Sequence, residues 1–262
     1  MKPTWPLWLA GAIVFALWAV PANATTMNRV WVSGTGNDVA GCGAIASPCA
    51  TFTGALTSVA AGGEIDCLSP GDFGNVVISK PVSIVCDGVS NGGIINNTGN
   101  DAVTINVPSG AVVYLSGLDI NGLSGAGAYG VNVETGATVY IVHSTIRGFS
   151  QAGVWLESTT SLTRVIIKDS IIVNNGAGVL VEAQSAATNV ALIFDSVVDG
   201  NSNFAAGADA LGGPSVIAVE NTALTGSPTG LDLTNGATGE LVGPSNAIAG
   251  AIIGTTTSVP FK

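Results

Sequence analysis

Along the middle of the chain, short runs of alternating apolar and polar residues recur at a fixed interval that is far longer than a helical turn. Ser116, Ser144, Ser170, Ser196 and Thr222 share one phase, and the separations between them run 28, 26, 26 and 26 residues. Three residues before that phase stand Val113, Ile141, Ile167, Ile193 and Val219, and five before it stand Ala111, Val139, Val165, Ala191 and Ile217. Two residues after it come Leu118, Ile146, Ile172, Val198 and Leu224. Alternation within a strand sends every second side chain to one face, and a constant coil length stacks those side chains from coil to coil. Each set is therefore predicted to be a column pointing into a core. A further strand per coil opens on a small residue: Ala102-Val103-Thr104-Ile105, Gly130-Val131-Asn132-Val133, Gly153-Val154-Trp155-Leu156, Gly178-Val179-Leu180-Val181 and, after a degenerate stretch, Gly230-Leu231-Asp232-Leu233. The first and third residues after the glycine are expected inward. Asn121-Gly122, Asn174-Asn175-Gly176 and Asp199-Gly200-Asn201 fall between strands, where left-handed turns need residues of this kind. The pattern predicts an all-β solenoid of coils about 25 residues long, seven to eight of them between Glu64 and Ile253.

The ends read differently. Lys2, an apolar run over 7–20, the helix breaker Pro21 and the small-residue site Ala22-Asn23-Ala24 predict a signal peptide over 1–24. About 14 apolar residues fall short of the roughly 20 that span a bilayer, so no transmembrane segment is expected after cleavage. Arg29-Val30-Trp31-Val32 predicts a strand, followed by a Gly- and Cys-rich loop to Pro48. Phe52, Leu56 and Val59 then lie at helical spacing, which predicts a helix over 50–61 ended by Gly62-Gly63. Such a helix would cap one open end of the stack. The expected division is 25–63 for strand, loop and cap, and 64–262 for the coils, with an irregular tail over 241–262.

The run Thr51-Phe52-Thr53, Ala55-Leu56, Ala60-Ala61-Gly62-Gly63-Glu64-Ile65, Pro70-Gly71-Asp72-Phe73 and Val76-Val77-Ile78-Ser79-Lys80-Pro81-Val82-Ser83-Ile84 resembles the opening of pectin-lyase-like β-helix proteins. The resemblance implies a single-stranded right-handed parallel β-helix with a short N-terminal capping helix. With the repeats it covers most of the mature chain. It is specific for fold and not for activity, because many chemistries sit on this architecture. The Asn-x-Asp, Asp-Asp, Gly-His-Gly and Arg-x-Lys set of polygalacturonases and the arginine base with acidic calcium cluster of pectate lyases are not present as sets.

Composition narrows the partners. Seventeen acidic residues face seven basic ones, a balance that repels phosphate backbones and polyuronates alike, so no nucleic-acid partner is expected. Four cysteines in an exported chain point to disulfides. Ile65-Asp66-Cys67 and Ile84-Val85-Cys86 share one alternation, so Cys67 and Cys86 are expected on successive coils and bonded, which leaves Cys42 to Cys49.

Three candidate surfaces follow. The residue before the Ser phase runs Leu115, His143, Asp169, Asp195, Asn221. Two carboxylates about 5 Å apart beside the only histidine would suit a retaining glycosidase. Leu and Asn filling the same slot speak instead for a turn ladder, so no catalytic residue is assigned. Second, Glu134, Glu157 and Glu182 should stack in one outward column with Asn132 and Trp155 in the next. Like charges at that spacing repel, which sugar hydroxyls over the Trp155 face or a weakly held Ca²⁺ would relieve. No other metal or cofactor is expected. Third, Tyr114, Tyr140, Ile166, Leu192 and Phe194 should face outward as an apolar strip, to be covered by a second copy, the tail or a ligand. The function expected is that of a secreted, non-enzymatic protein of the periplasm, cell surface or medium that binds a polysaccharide or another cell-envelope component. A polysaccharide lyase or hydrolase, or a structural or adhesive module, is the alternative.

Overall fold

The structure, a computed structural model, describes residues 26–159 and 161–260. The expected signal peptide lies outside them. Each coil contributes three strands, such as Thr138–Val142, Thr145–Arg147 and Ala152–Leu156. Repetition over about seven turns builds three parallel sheets, numbered here in the order a coil visits them: a first sheet of ten strands, and a second and a third of eight each. Val139 and Ile141 from the first sheet, Ile146 from the second, and Val154 and Leu156 from the third are fully buried and join one continuous core. Each such side chain contributes about 1.5–3 kcal/mol by leaving water.

The corners explain the polar phases. Between the first and second sheets the chain turns on a single left-handed residue: Gly117, His143, Asp169, Asp195 and Asn221 have φ of 70°, 49°, 48°, 48° and 45°. Gly, Asn, Asp and His tolerate this region better than other residues, hence the composition of the column. The residue that follows points inward. Ser144 Oγ accepts the N–H of Leu118, Ser170 Oγ that of Ser144, and Ser196 Oγ that of Ser170, each at 3.2 Å. Thr222 Oγ1 accepts that of Ser196 at 3.3 Å. At the next corner, Asn175 Oδ1 accepts the N–H of Phe149 at 3.0 Å and Asn201 Oδ1 that of Asn175 at 2.9 Å. Gly178, at the opening of a third-sheet strand, is demanded by close approach, since a Cβ there would lie 2.2 Å from the Ala205 carbonyl oxygen.

Several expectations are corrected. In the earliest repeat the phase is displaced by two residues: Val113 pairs with Val139, Leu115 with Ile141 and Ile120 with Ile146. Gly117, not Leu115, is the left-handed residue, and Leu118 fills the serine slot. The degenerate stretch contains a full strand, Phe204–Asp209, in which Ala205 replaces the opening glycine. The cap helix is shorter, Phe52–Ser58, because Val59 is already extended, fully buried and paired with Met27. Thr51 Oγ1 accepts the Gly54 N–H at 2.9 Å and itself donates to Asp38 at 2.7 Å, and Lys80 Nζ donates to the Leu56 carbonyl at 2.7 Å, so groups at both helix ends have partners. The tail continues the coils: Thr238–Val242, Ala247–Ile248, Ala251–Ile253 and Thr256–Val259 add strands to all three sheets, with one irregularity where the register shifts between Thr229 and Leu231 opposite Ala251 and Ile252. It extends the stack and does not cover the first sheet.

Both disulfides pair as expected. Cys67 and Cys86 follow the aligned pairs Ile65–Ile84 and Asp66–Val85, with Cα atoms 4.7 Å apart, and Cys42 and Cys49 are 5.0 Å apart. Among the described residues, no helix is long and apolar enough to cross a membrane.

Candidate functional site

The third sheet carries the densest constellation. Its inward residues alternate with an outward row in which Val77, Thr104, Asn132, Trp155, Leu180, Gly207 and Asp232 align. The neighbouring outward row holds Glu134, Glu157, Glu182 and Asp209, with Glu182 aligned to Asp209. Glu134, Glu157, Glu182, Asn132 and Trp155 are thus brought together.

The Asn132 amide nitrogen donates to Asp101 Oδ2 at 3.0 Å and to Glu157 Oε1 at 2.9 Å. Trp155 Nε1 donates to Glu182 Oε2 at 2.7 Å, and Asn106 Nδ2 to Glu134 Oε2 at 2.8 Å. The Tyr129 and Trp155 rings stack with centroids 4.3 Å apart and planes 20° from parallel. Asn132 is 3% exposed although it stands on the outer face, and its Oδ1 has no hydrogen-bond partner. An outward residue is shielded to that extent only by its neighbours, here Trp155 on the next strand and Thr104 on the preceding one.

Burial raises the Glu157 carboxyl above the ordinary range; the Asn132 hydrogen bond opposes this, while the charges of Glu134, Asp101 and Glu182 add to it. Burial likewise raises the Tyr129 phenol, helped by Glu182, Glu157 and Asp101. Among the described residues, no ion pair joins these carboxylates to Lys, Arg or His. Depressions flank the aromatic pair along the same face. One of about 570 Å³ is lined by Asn75, Val77, Asn100, Asp101 and Thr104, and one of about 310 Å³ by Leu180, Glu182, Phe204, Asp209 and Asp232.

Among the described residues, the carboxylates of this face form no group of three within 4.8 Å of one another. Among the described residues, the one group of three potential ligand atoms within 4.8 Å of one another is Asp38 with Cys42 and Cys49, whose sulfurs are bonded to each other. The calcium expectation therefore has no converging ligand set on this face.

The other candidates have simpler surroundings. His143 Nδ1 lies 3.2 Å from Asp87 Oδ1 and its Nε2 3.8 Å from Asp169 Oδ2; Lys168 Nζ is 3.2 Å from Asp169, and Asn221 Nδ2 donates to Asp195 Oδ1 at 2.7 Å. All stand on an exposed corner; Asp195 and Asn221 line a depression of about 600 Å³ with Glu220 and Val242, which Asp169 does not join, and their left-handed backbone accounts for the residue types. On the first sheet, Tyr114, Tyr140, Ile166, Leu192 and Ala218 align in one outward row, while Val142, Lys168, Phe194 and Glu220 form the next. Tyr114 therefore faces Tyr140, with rings 6.0 Å apart, although the serine phase, which matches Val113 to Ile141, would set Val112 opposite Tyr140. The strip is half-buried by its own neighbours, and the charges of Lys168 and Glu220 interrupt it.

Asp101 and Tyr129 were absent from the sequence-derived set. Both sit one residue ahead of the small residue from which the sequence pattern counts the strand. The signal was an aromatic and an acidic residue at one strand-opening position of successive coils, since Tyr129 precedes Gly130 as Asp101 precedes Ala102.

Residues 72–224 match the family described as right handed beta helix region, more than half of the chain, and the protein belongs to that family. No curated protein matches it. Among solved structures it is similar to the crystal structure of pectate lyase Pel9A at 14% identity, with a TM-score of 0.41, over 90% of this chain and 79% of that one.

Proposed function

We propose that the protein is an exported, non-enzymatic β-helix module of the cell envelope or surface that holds a glycan along the outer face of its third sheet. One observation carries this reading: the Tyr129–Trp155 stack, ringed by Asn132, Asp101, Glu157 and Glu182 and flanked by a depression on either side. An aromatic platform packs against the apolar face of a sugar, while side chains at its edge take the hydroxyls. Disulfides and the family architecture support an extracytoplasmic setting. The test is a glycan array probed with the mature chain and with Trp155→Ala. Loss of Trp155 is expected to lower binding at least about tenfold, as for a buried aromatic anchor. Equal binding by the two proteins would refute the assignment of the face.

One observation favours a second reading, glycoside hydrolysis. Asp101 and Glu157 share one amide nitrogen at 3.0 and 2.9 Å, so their nearest oxygens are at most about 6 Å apart, near the separation used by retaining glycosidases. The same amide lies between them, where a sugar's anomeric carbon would have to sit, which is why binding is preferred. Release of reducing ends from a polysaccharide panel, lost in Glu157→Gln, would reverse that order.

A further inference from the structure

The hydrogen-bond inventory of this face is one-sided. Six of the seventeen carboxylates of the chain, Asp101, Glu134, Glu157, Glu182, Asp209 and Asp232, stand on the outer side of the third sheet. The described basic residues are engaged elsewhere: Arg29 with Glu64 and Asp66, Lys80 with helix carbonyls, Arg147 with Asp119, Lys168 with Asp169, while Arg164 lies on the first sheet. Apart from the Tyr129 phenol, the donors next to the aromatic pair are consumed internally. Both hydrogens of the Asn132 amide, the Trp155 indole N–H and the Thr104 hydroxyl end on Asp101, Glu157 or Glu182. What remains is acceptor capacity, about four lone-pair sites per carboxylate. To it is added the Asn132 Oδ1, buried beside the platform without a donor, and the Asp232 Oδ1 in the same condition two coils beyond Leu180.

A ligand that completes such a face brings donors and positive charge, and offers few acceptors. A uronate brings neither positive charge nor surplus donors. A neutral sugar hydroxyl donates one bond and asks for acceptance of others. An ammonium group brings three donors, no acceptor and a charge that relieves the repulsion within the carboxylate row. The carboxylates are spread along the stack at the strand spacing of about 4.8 Å, close to the length of one sugar in an extended chain. That spread suits several separate ammonium groups better than one metal ion.

Resting on the glycan-binding reading, we infer that the ligand is a chain of amino sugars with free, non-acylated amino groups. Its rings lie on Tyr129 and Trp155 and its ammonium groups on Asp101, Glu157 and Glu182.

The test is calorimetry of the mature protein at mildly acidic pH, where a sugar amine is protonated, with four probes: a glucosamine oligosaccharide, its N-acetylated counterpart, an oligogalacturonate and oligolysine. The glucosamine oligomer is expected to bind at least about tenfold more tightly than the acetylated one, the factor a charge-assisted hydrogen bond carries. That preference should weaken as salt is raised, and oligogalacturonate should not bind. In Asp101→Asn with Glu157→Gln, the ratio of amino to acetyl affinity should fall towards one at an unchanged melting temperature. If that variant does not fold, the salt series on the wild type decides the matter, and a preference that salt leaves unchanged overturns the inference. Equal affinity of the wild type for amino and acetyl sugars overturns it too, and so does oligolysine binding as tightly as the glucosamine oligomer. Equal sugar affinities that Trp155→Ala abolishes leave the glycan-binding reading standing and this one refuted.

Discussion

Replacing Ser170 by alanine tests whether the serine column holds the corners together. Ser170 is 2% exposed, and its Oγ accepts the N–H of Ser144 from the preceding coil at 3.2 Å while donating to the Lys168 carbonyl at 2.8 Å. Alanine leaves the packing volume nearly intact, so the cavity term is small. The Lys168 carbonyl keeps a second donor, the His143 N–H at 3.2 Å. The loss therefore reduces to one buried N–H without an acceptor, which costs about 1–3 kcal/mol. Taking about 2 kcal/mol, and 2–4 °C per kcal/mol for a domain of this size, the melting temperature should fall by about 4–8 °C. Thermal unfolding followed by circular dichroism reads the global term, and amide hydrogen exchange reads the local one, since the Ser144 amide should lose protection first. Ser170→Thr is the control, because Thr222 already fills the same slot in a later coil. A loss below about 0.5 kcal/mol with the Ser144 amide still protected, or a threonine variant as unstable as the alanine one, would refute the reasoning.

Three further outcomes are expected. Changing Cys67 and Cys86 together to serine removes a link spanning 19 residues and should cost about 3 kcal/mol in urea unfolding; a loss under about 1 kcal/mol would mean that the coils hold the unfolded chain no tighter with the bond than without it. Glu157 has a folded-state pKa above its unfolded one, so its favourable contribution is complete below the unfolded value and disappears as pH rises through the raised one. Glu157→Gln should then gain in melting temperature over the wild type on going from acidic to neutral pH, and a difference that shrinks over that interval contradicts the assigned cause. Asp169→Asn with Asp195→Asn keeps residues that accept the left-handed corner, so stability should change by less than about 0.5 kcal/mol and glycan binding not at all. Abolition of a polysaccharide-degrading activity by this pair at unchanged stability would restore the corner as a catalytic site.

Much of the architecture is readable in the sequence because its constraints are periodic. A serine that must receive an amide from the coil before it cannot drift, and so Ser144, Ser170, Ser196 and Thr222 keep a spacing of 26. Ser116 breaks the pattern because its hydroxyl bonds Asp87, a local partner, while the true slot two residues on holds Leu118. The strand at Phe204 is hidden for a similar reason, since Ala205 stands where the neighbouring strand carries Gly178. The site is half legible. Strand alternation delivers Asn132, Trp155 and the glutamates, but Tyr129 reaches Trp155 diagonally across coils from a strand-opening position, a contact no single-strand periodicity encodes. The tail escapes the pattern because its coil is shorter: Leu241 and Ile248 continue the columns of Val219 and Leu224 and pack against the core, but 22 and 24 residues on rather than 26.

The serine corners also give the molecule a direction. Each corner amide is served by the coil that follows it, never by the one before: Leu118 by Ser144, and so on to Thr222, whose N–H ends on Asn246 Oδ1 at 3.2 Å. A stack of these coils cut short after any one of them leaves the amide of its last corner unserved, and Asn246, itself at the corner before Ala247–Ile248, serves that of Thr222.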